Sequence, residues 1–225
     1  MVTFLCDSSS LISLTNSCLY NVLYYLKSKY SCKFLITPSI YSETVLRPLH
    51  IREYSFSAHM INQLVNDRVV ELTESRNLEQ ERDLVLSLAN NIVSLGGKQL
   101  KLIQKGEAEL IAYGKGTNVL IDERTTRMLI ENPHLLISHL RDEFRQSLSV
   151  NPRKLDEFKS YTNGMAMVRS TELAIFGYEN GFFDKFKGKQ DVLRSALYKL
   201  KYSGCSISFE EIDNFFYIRL CHRGG

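Results

Sequence analysis

Four short apolar runs stand along the first 121 residues: VTFLC at 2–6, KFLIT at 33–37, VVELT at 69–73 and NVLI at 118–121. Side chains on a strand alternate between its two faces, so a run that is apolar at successive positions hides both. The stretches between these runs carry helical spacing instead. Strands hidden on both faces and alternating with helices make a sheet sandwiched between helical layers. The expected fold is therefore α/β, three layers of α/β/α around a central, mainly parallel sheet.

Local chemistry bounds the helices. DSSS at 7–10 offers N-caps to a helix from about Leu11 to Leu26. Pro38 suits the first turn of PSIYSETVL, and SAHMINQLVNDR follows. Residues 76–95 read as one amphipathic helix, with Leu78, Val85 and Ile92 on one face and Gly96-Gly97 stopping it. Glu107–Tyr113 is a helix ended by Gly114. From about Thr125 the pattern is mainly helical, in segments divided by Asn-Pro at 132–133 and 151–152 and by Gly164, Gly181 and Gly204. Residues 1–131 are read as the core, and 132–225 as a mainly helical C-terminal extension packed on it.

The bulk numbers exclude more than they assign. A chain of 225 residues, 44% hydrophobic and 24% charged with net charge +3, has the profile of an ordinary globular protein with a substantial core. Cys6, Cys18, Cys32, Cys205 and Cys221 are odd in number and lack C-x-x-C spacing, which argues against a zinc site or a disulfide framework and fits a reducing, cytoplasmic setting. MVTFLCDSSSLISL lacks a basic start and is interrupted by Asp7, so a secretory leader is not expected, and no apolar stretch is long enough to span a bilayer. No GxxxxGK[ST] or GxGxxG turn supports a nucleotide cofactor.

The informative residues are acids at the ends of apolar elements. VTFLC stops at Asp7, and NVLI stops at Asp122 and Glu123. Parallel strands end on one edge of the sheet, where ligands bind in α/β folds. Helical spacing adds Glu43, three residues after Ile40 and three before Leu46, and Glu107, three and four before Leu110 and Ile111; Glu109 points away. Carboxylates gathered on one edge repel one another, and a hard divalent cation such as Mg2+ or Mn2+ relieves that repulsion. Each acid also has a plainer reading as a helix cap or a first-turn acid favoured by the helix dipole.

FLCDSSSLISL, ITPSIYSE and KGEAELIAYGKGTNVLIDERTTR resemble, in spacing and order, the acid-bearing blocks of PIN-domain proteins. The GEAE block, apolar strand and IDER turn are most similar to the prokaryotic, largely archaeal, branch related to the toxin ribonucleases of toxin–antitoxin pairs. The segment ELAIFGYENGFF…LRSALYKLKYSGCSISFEEID resembles the C-terminal helices of that branch. The resemblance implies a PIN-like core at 1–131 and a metal-dependent endoribonuclease that hydrolyses single-stranded RNA with water activated by Mg2+ or Mn2+. It maps the four acids to Asp7, Glu43, Glu107 and Asp122, with Glu123 sharing or replacing the role of Asp122. It sets Ser9 where the family often has a hydroxyl. The chain departs from the common pattern by carrying Glu at the third position. Partners implied are RNA, an antitoxin protein and a second copy of the chain, with no membrane.

On the substrate side, Arg124 and Arg127 follow the acid turn and are candidates to hold phosphate, against a plainer reading as solvated helix charges. FFDKFKGKQ interleaves Phe182, Phe183 and Phe186 with lysines, a pattern suited to single-stranded RNA, although core phenylalanines beside a polar loop weigh more. A PIN-like module that grips RNA or protein without cutting is the alternative. A haloacid-type phosphatase is disfavoured because Ser9 stands where a second Asp is needed.

Overall fold

The computed structural model describes residues 2–73, 78–145 and 147–222. Strand β1 (Thr3–Cys6) leads into α1 (Ser8–Asn16) and α2 (Asn21–Tyr30). Strand β2 (Lys33–Ile36) leads into α3 (Pro38–Tyr41), a π-helical turn at Ser42–Leu46, a 3-10 turn at Pro48–His50 and α4 (Ser55–Asn66). After β3 (Val70–Leu72) come α5 (Glu79–Asn90), β4 (Val93–Leu95), β5 (Lys98–Gln99) and α6 (Lys105–Tyr113). After β6 (Asn118–Leu120) come α7 (Arg124–Glu131), α8 (Pro133–Phe144), β7 (Leu148–Val150) and α9 (Pro152–Thr162). Strand β8 (Ala166–Val168) precedes α10 (Ser170–Glu179), α11 (Lys189–Tyr202) and α12 (Phe209–His222).

The central sheet has the order β3-β2-β1-β6-β8, with every neighbouring pair parallel. This is the α/β class and the flanked parallel sheet that the apolar runs predict. A second sheet, β5-β4-β7, is antiparallel. One buried cluster packs sheet residues Leu5, Phe34, Val70 and Val119 with Leu11, Leu14 and Leu23 of α1 and α2 and Leu193, Leu197 and Leu200 of α11. A second joins Val85 and Leu88 of α5, Ile111 of α6, Leu129 of α7, Ile137 of α8 and Phe158 of α9. Met165 packs against both clusters.

Several elements differ from the sequence expectation. The helix expected from Leu11 to Leu26 is two helices, because the Leu14 carbonyl accepts from both Leu19 N and Tyr20 N and Cys18 takes a left-handed φ of 60°. The helix expected over 76–95 is helical from Glu79 to Asn90, and its first residues, Arg76 and Asn77, lie outside the described residues. Val93–Leu95 is a strand, and Gly96 and Gly97 (φ 56° and 80°) turn a hairpin rather than stop a helix. Two positive-φ glycines serve either purpose, so the local signal was ambiguous. The segment after residue 131 is not wholly helical. It supplies β7 to the small sheet and β8 to the central one, so β6 is not the last strand. Three-residue strands such as AMV are too short for a periodic signal.

Phe158 lies in the region expected to be an appendage and is fully buried in the second cluster. Truncating a buried phenylalanine removes its transfer free energy and leaves a cavity. Phe158→Ala is expected to lower unfolding free energy by about 3–5 kcal/mol, read from urea denaturation. The transition of the whole chain should move, rather than an early partial transition splitting off.

Candidate active site at the carboxyl edge of the sheet

From β1 the chain crosses to β2 on one side, and from β6 it crosses to β8 on the other. The strand order thus reverses between β1 and β6, the place where open parallel sheets form a crevice. Asp7 leaves β1 there and Asp122 follows β6. The two strand ends are tied directly: Asp7 N donates to Leu120 O at 2.8 Å, and Ser10 Oγ donates to the same carbonyl at 3.0 Å.

Asp7 is 6% exposed and caps α1, its Oδ2 accepting from Ser9 N at 3.0 Å. The Ser9 hydroxyl also donates to Asp7 Oδ2, and accepts from Asp122 N at 3.0 Å and Glu123 N at 3.2 Å. Ser9 therefore fastens the first acid to the turn that carries the last two. Burial pushes the Asp7 carboxyl up to about 6; the Ser9 bonds oppose this, and the charges of Glu107 and Glu43 add to it.

Glu43 sits on the π-helical turn. Such turns close through a bond one residue longer than the α-helical one, as Arg47 N to Ser42 O does here at 3.0 Å. The wider winding undoes the expected shared face: Ile40 is 1% exposed and Leu46 50% exposed, and Glu43 is an exposed residue. Its carboxylate end nevertheless leans on the first turn of α6, with Oε2 3.6 Å from where a Cβ on Gly106 would stand. Its pKa is raised, first by desolvation of that end and then by the Glu107 charge, while Ser8 and Arg47 pull it down. Glu107 completes a capping box on α6, its Oε2 accepting from Gln104 N at 2.9 Å. Glu109 bonds Ser39 instead. Asp7, Glu43 and Glu107 thus feel one another's charge although they come from three separate segments.

Asp122 and Glu123 face other duties. Asp122 is fully buried; Oδ1 accepts from Ser170 N at 2.7 Å, and Oδ2 has no hydrogen-bond partner among the described residues. The buried Cys205 thiol beside it is pushed up by burial and then by the Asp122 charge. The Glu123 oxygens accept from Thr125 N and Thr126 N, both at 2.6 Å, capping α7. Among the described residues no three His, Cys, Asp or Glu side chains stand close enough together to hold a metal ion.

Arg124 and Arg127 both line a cavity of about 560 Å³ next to the acid turn, between α7, α8 and the 205–208 turn. Its other walls include His139 of α8 and Lys201 of α11, which sequence spacing did not single out. The GCSIS turn was visible as a motif and supplies Cys205–Ser208 to this wall. Phe183 is buried at 2% exposure and Phe182 packs against the first core, so the plainer reading of FFDKFKGKQ holds for both. No helix among the described residues is long and apolar enough to cross a membrane. Compared with protein-family models, curated proteins and solved structures, the chain matches none.

A carboxyl whose folded pKa lies above its ordinary value favours the folded state while protonated. For Asp7 that contribution is fully present below the unfolded value of 3.8 and is lost as pH rises through about 6. Asparagine keeps the cap and carries no charge. Asp7→Asn is therefore expected to gain about 2–3 kcal/mol on the wild type between pH 3.5 and pH 7.5, measured by urea denaturation of both proteins at both pH values. Glu107→Gln should lower the Asp7 pKa from about 6 toward its ordinary value, read by carboxyl-carbon NMR titration.

Proposed function

We propose that the chain is a metal-dependent endoribonuclease acting on single-stranded RNA at the carboxyl edge between β1 and β6. The observation that carries this reading is the nearly buried Asp7 at the topological switch point, its carboxyl pushed up to about 6 with Glu107 and Glu43 adding to the shift. The resemblance of the acid-bearing blocks to PIN-domain ribonucleases supports it independently. Asp7, Glu43 and Glu107 are hard, anionic and mutually repelling donors, which suits Mg2+ or Mn2+. They would hold the ion only if their side chains drew together, since among the described residues no three such groups stand close enough to share one; Asp122 is instead bonded to Ser170 N. Such an ion supplies acidification of a bound water and neutralisation of charge on the phosphodiester. The chain's own contribution is to fix the donors. Ser9 holds the Asp7 carboxylate in one orientation. The capping box holds Glu107 against the backbone of α6.

A second reading, a non-catalytic RNA- or protein-binding module, is favoured by one specific observation. Asp7, Glu107, Asp122 and Glu123 each accept a backbone N–H bond, the work of a structural cap.

Labelled single-stranded RNA incubated with the protein and Mn2+ separates the two. The nuclease reading expects cleavage that stops with chelator and falls by on the order of 100-fold in Asp7→Asn, the scale of removing a group that stabilises developing charge. Glu107→Gln is the sharper variant, because glutamine preserves the capping box and removes only the charge. Its activity should fall while its thermal midpoint stays near that of the wild type. Cleavage that survives chelation, or full activity in both variants, would falsify the nuclease reading.

A further inference from the structure

The cavity beside the acid turn carries positive charge that its own carboxylates do not neutralise. Glu131 is paired with Arg127 at 2.8 Å, and Glu211 with Arg169 at 2.9 Å. Arg124 meets no carboxylate among the described residues; its guanidinium lies 3.2–3.3 Å from the ring nitrogens of His139 and 3.3 Å from Met128 Sδ. Lys201 also lacks a carboxylate partner among the described residues and donates to Ile207 O at 2.6 Å. Arg127 Nε and Ser206 Oγ are buried with no hydrogen-bond partner among the described residues, which is costly in a folded interior unless a ligand or water satisfies them. The chain has thus gathered an excess of cationic and donor groups around one concave space.

An aromatic shelf continues from the Lys201 side. The Lys201 ammonium lies 4.6 Å from the ring centroid of Phe209. Phe209 is 46% exposed, Tyr202 is 76% exposed, and their centroids are 5.9 Å apart. Exposing two large rings next to each other forgoes burial, so a ligand with a flat face is the natural complement. The cavity adjoins the strand ends: Ser206 N donates to Asp122 O at 3.1 Å, and Arg124 follows Glu123 directly.

We propose that this cavity and shelf form a binding subsite for single-stranded RNA, in which Arg124, Arg127 and Lys201 hold a backbone phosphate while Tyr202 and Phe209 stack an adjacent base. The choice of RNA as ligand rests on the nuclease reading above; the geometry adds where the strand lies. A guanidinium fork matches phosphate oxygens, and rings stack on bases of any sequence. An acidic peptide would meet the charge and leave the shelf unused.

The test uses the full-length protein in chelator, so that binding is read without cleavage. A fluorescein-labelled oligouridylate of about ten nucleotides, within the span of known single-strand sites, is titrated by anisotropy at several salt concentrations. The wild type is expected to bind. Tyr202→Ala, at a position too exposed to disturb the core, should weaken binding about 5-fold or more, the worth of one stacked base. Arg124→Gln should flatten the plot of log affinity against log salt by about 0.7, the worth of one phosphate contact on a single strand. Phe56→Ala, on an exposed ring of α4 outside this surface, should bind as the wild type does. Absence of wild-type binding, wild-type behaviour of either site variant, or displacement of the RNA by an equal concentration of polyglutamate overturns the subsite. Binding with these variant effects but no cleavage in Mn2+ upholds the subsite and removes the nuclease reading. Cleavage with unchanged binding in the variants does the reverse.

Discussion

One hydroxyl joins the two halves of the site. Ser9 donates a hydrogen bond to the carboxylate that ends β1 and accepts two from backbone N–H groups of the turn that ends β6. Those strands pair in parallel over Phe4–Cys6 and Asn118–Leu120, although more than a hundred residues separate them in the chain. Their pairing creates the reversal in strand order, and the reversal creates the crevice. Everything later in the site hangs on this junction: Asp122 beneath Ser170, Glu123 on α7, and the arginines that follow.

The acids at the junction combine two uses of a negative charge. Asp7, Glu107 and Glu123 cap helices, where exposed N–H groups welcome an anion. Capping alone would not put Asp7 within electrostatic reach of both Glu107 and Glu43. At Asp7 burial pushes the carboxyl up to about 6, and the Glu107 and Glu43 charges add to that push. A structural cap gains nothing from such a shift, whereas a cation site or a proton-handling site does.

Some of this was legible in the residues. VTFLC, KFLIT and NVLI are apolar at nearly every position, and that alone implies strands covered on both faces. The strand-end position of Asp7 and Asp122 followed from the same runs. The face assigned to Glu43 did not survive, because a π-helical turn shifts the angular position of each following side chain. The two-helix split at Cys18 and the hairpin at Gly96-Gly97 escaped for a related reason. Each depends on φ values that the residue types permit without requiring. Strand β8 escaped because three residues carry no period, and its place in the sheet is set by its partner β6.

What the sequence determined by itself was class and edge: hydrophobic runs dictate a buried parallel sheet, and the residue after each run dictates which chemistry its edge displays. Partnership was decided by the tertiary structure. Glu43 comes within reach of the Glu107 charge, Asp122 turns to Ser170, and Arg124 faces Lys201 and the Tyr202–Phe209 shelf across a cavity built from two distant stretches, 124–139 and 201–211. The physical reason is range. Periodicity and capping are set within a few residues, whereas the direction of a carboxylate or guanidinium is set by whichever donor or charge the packed chain brings against it.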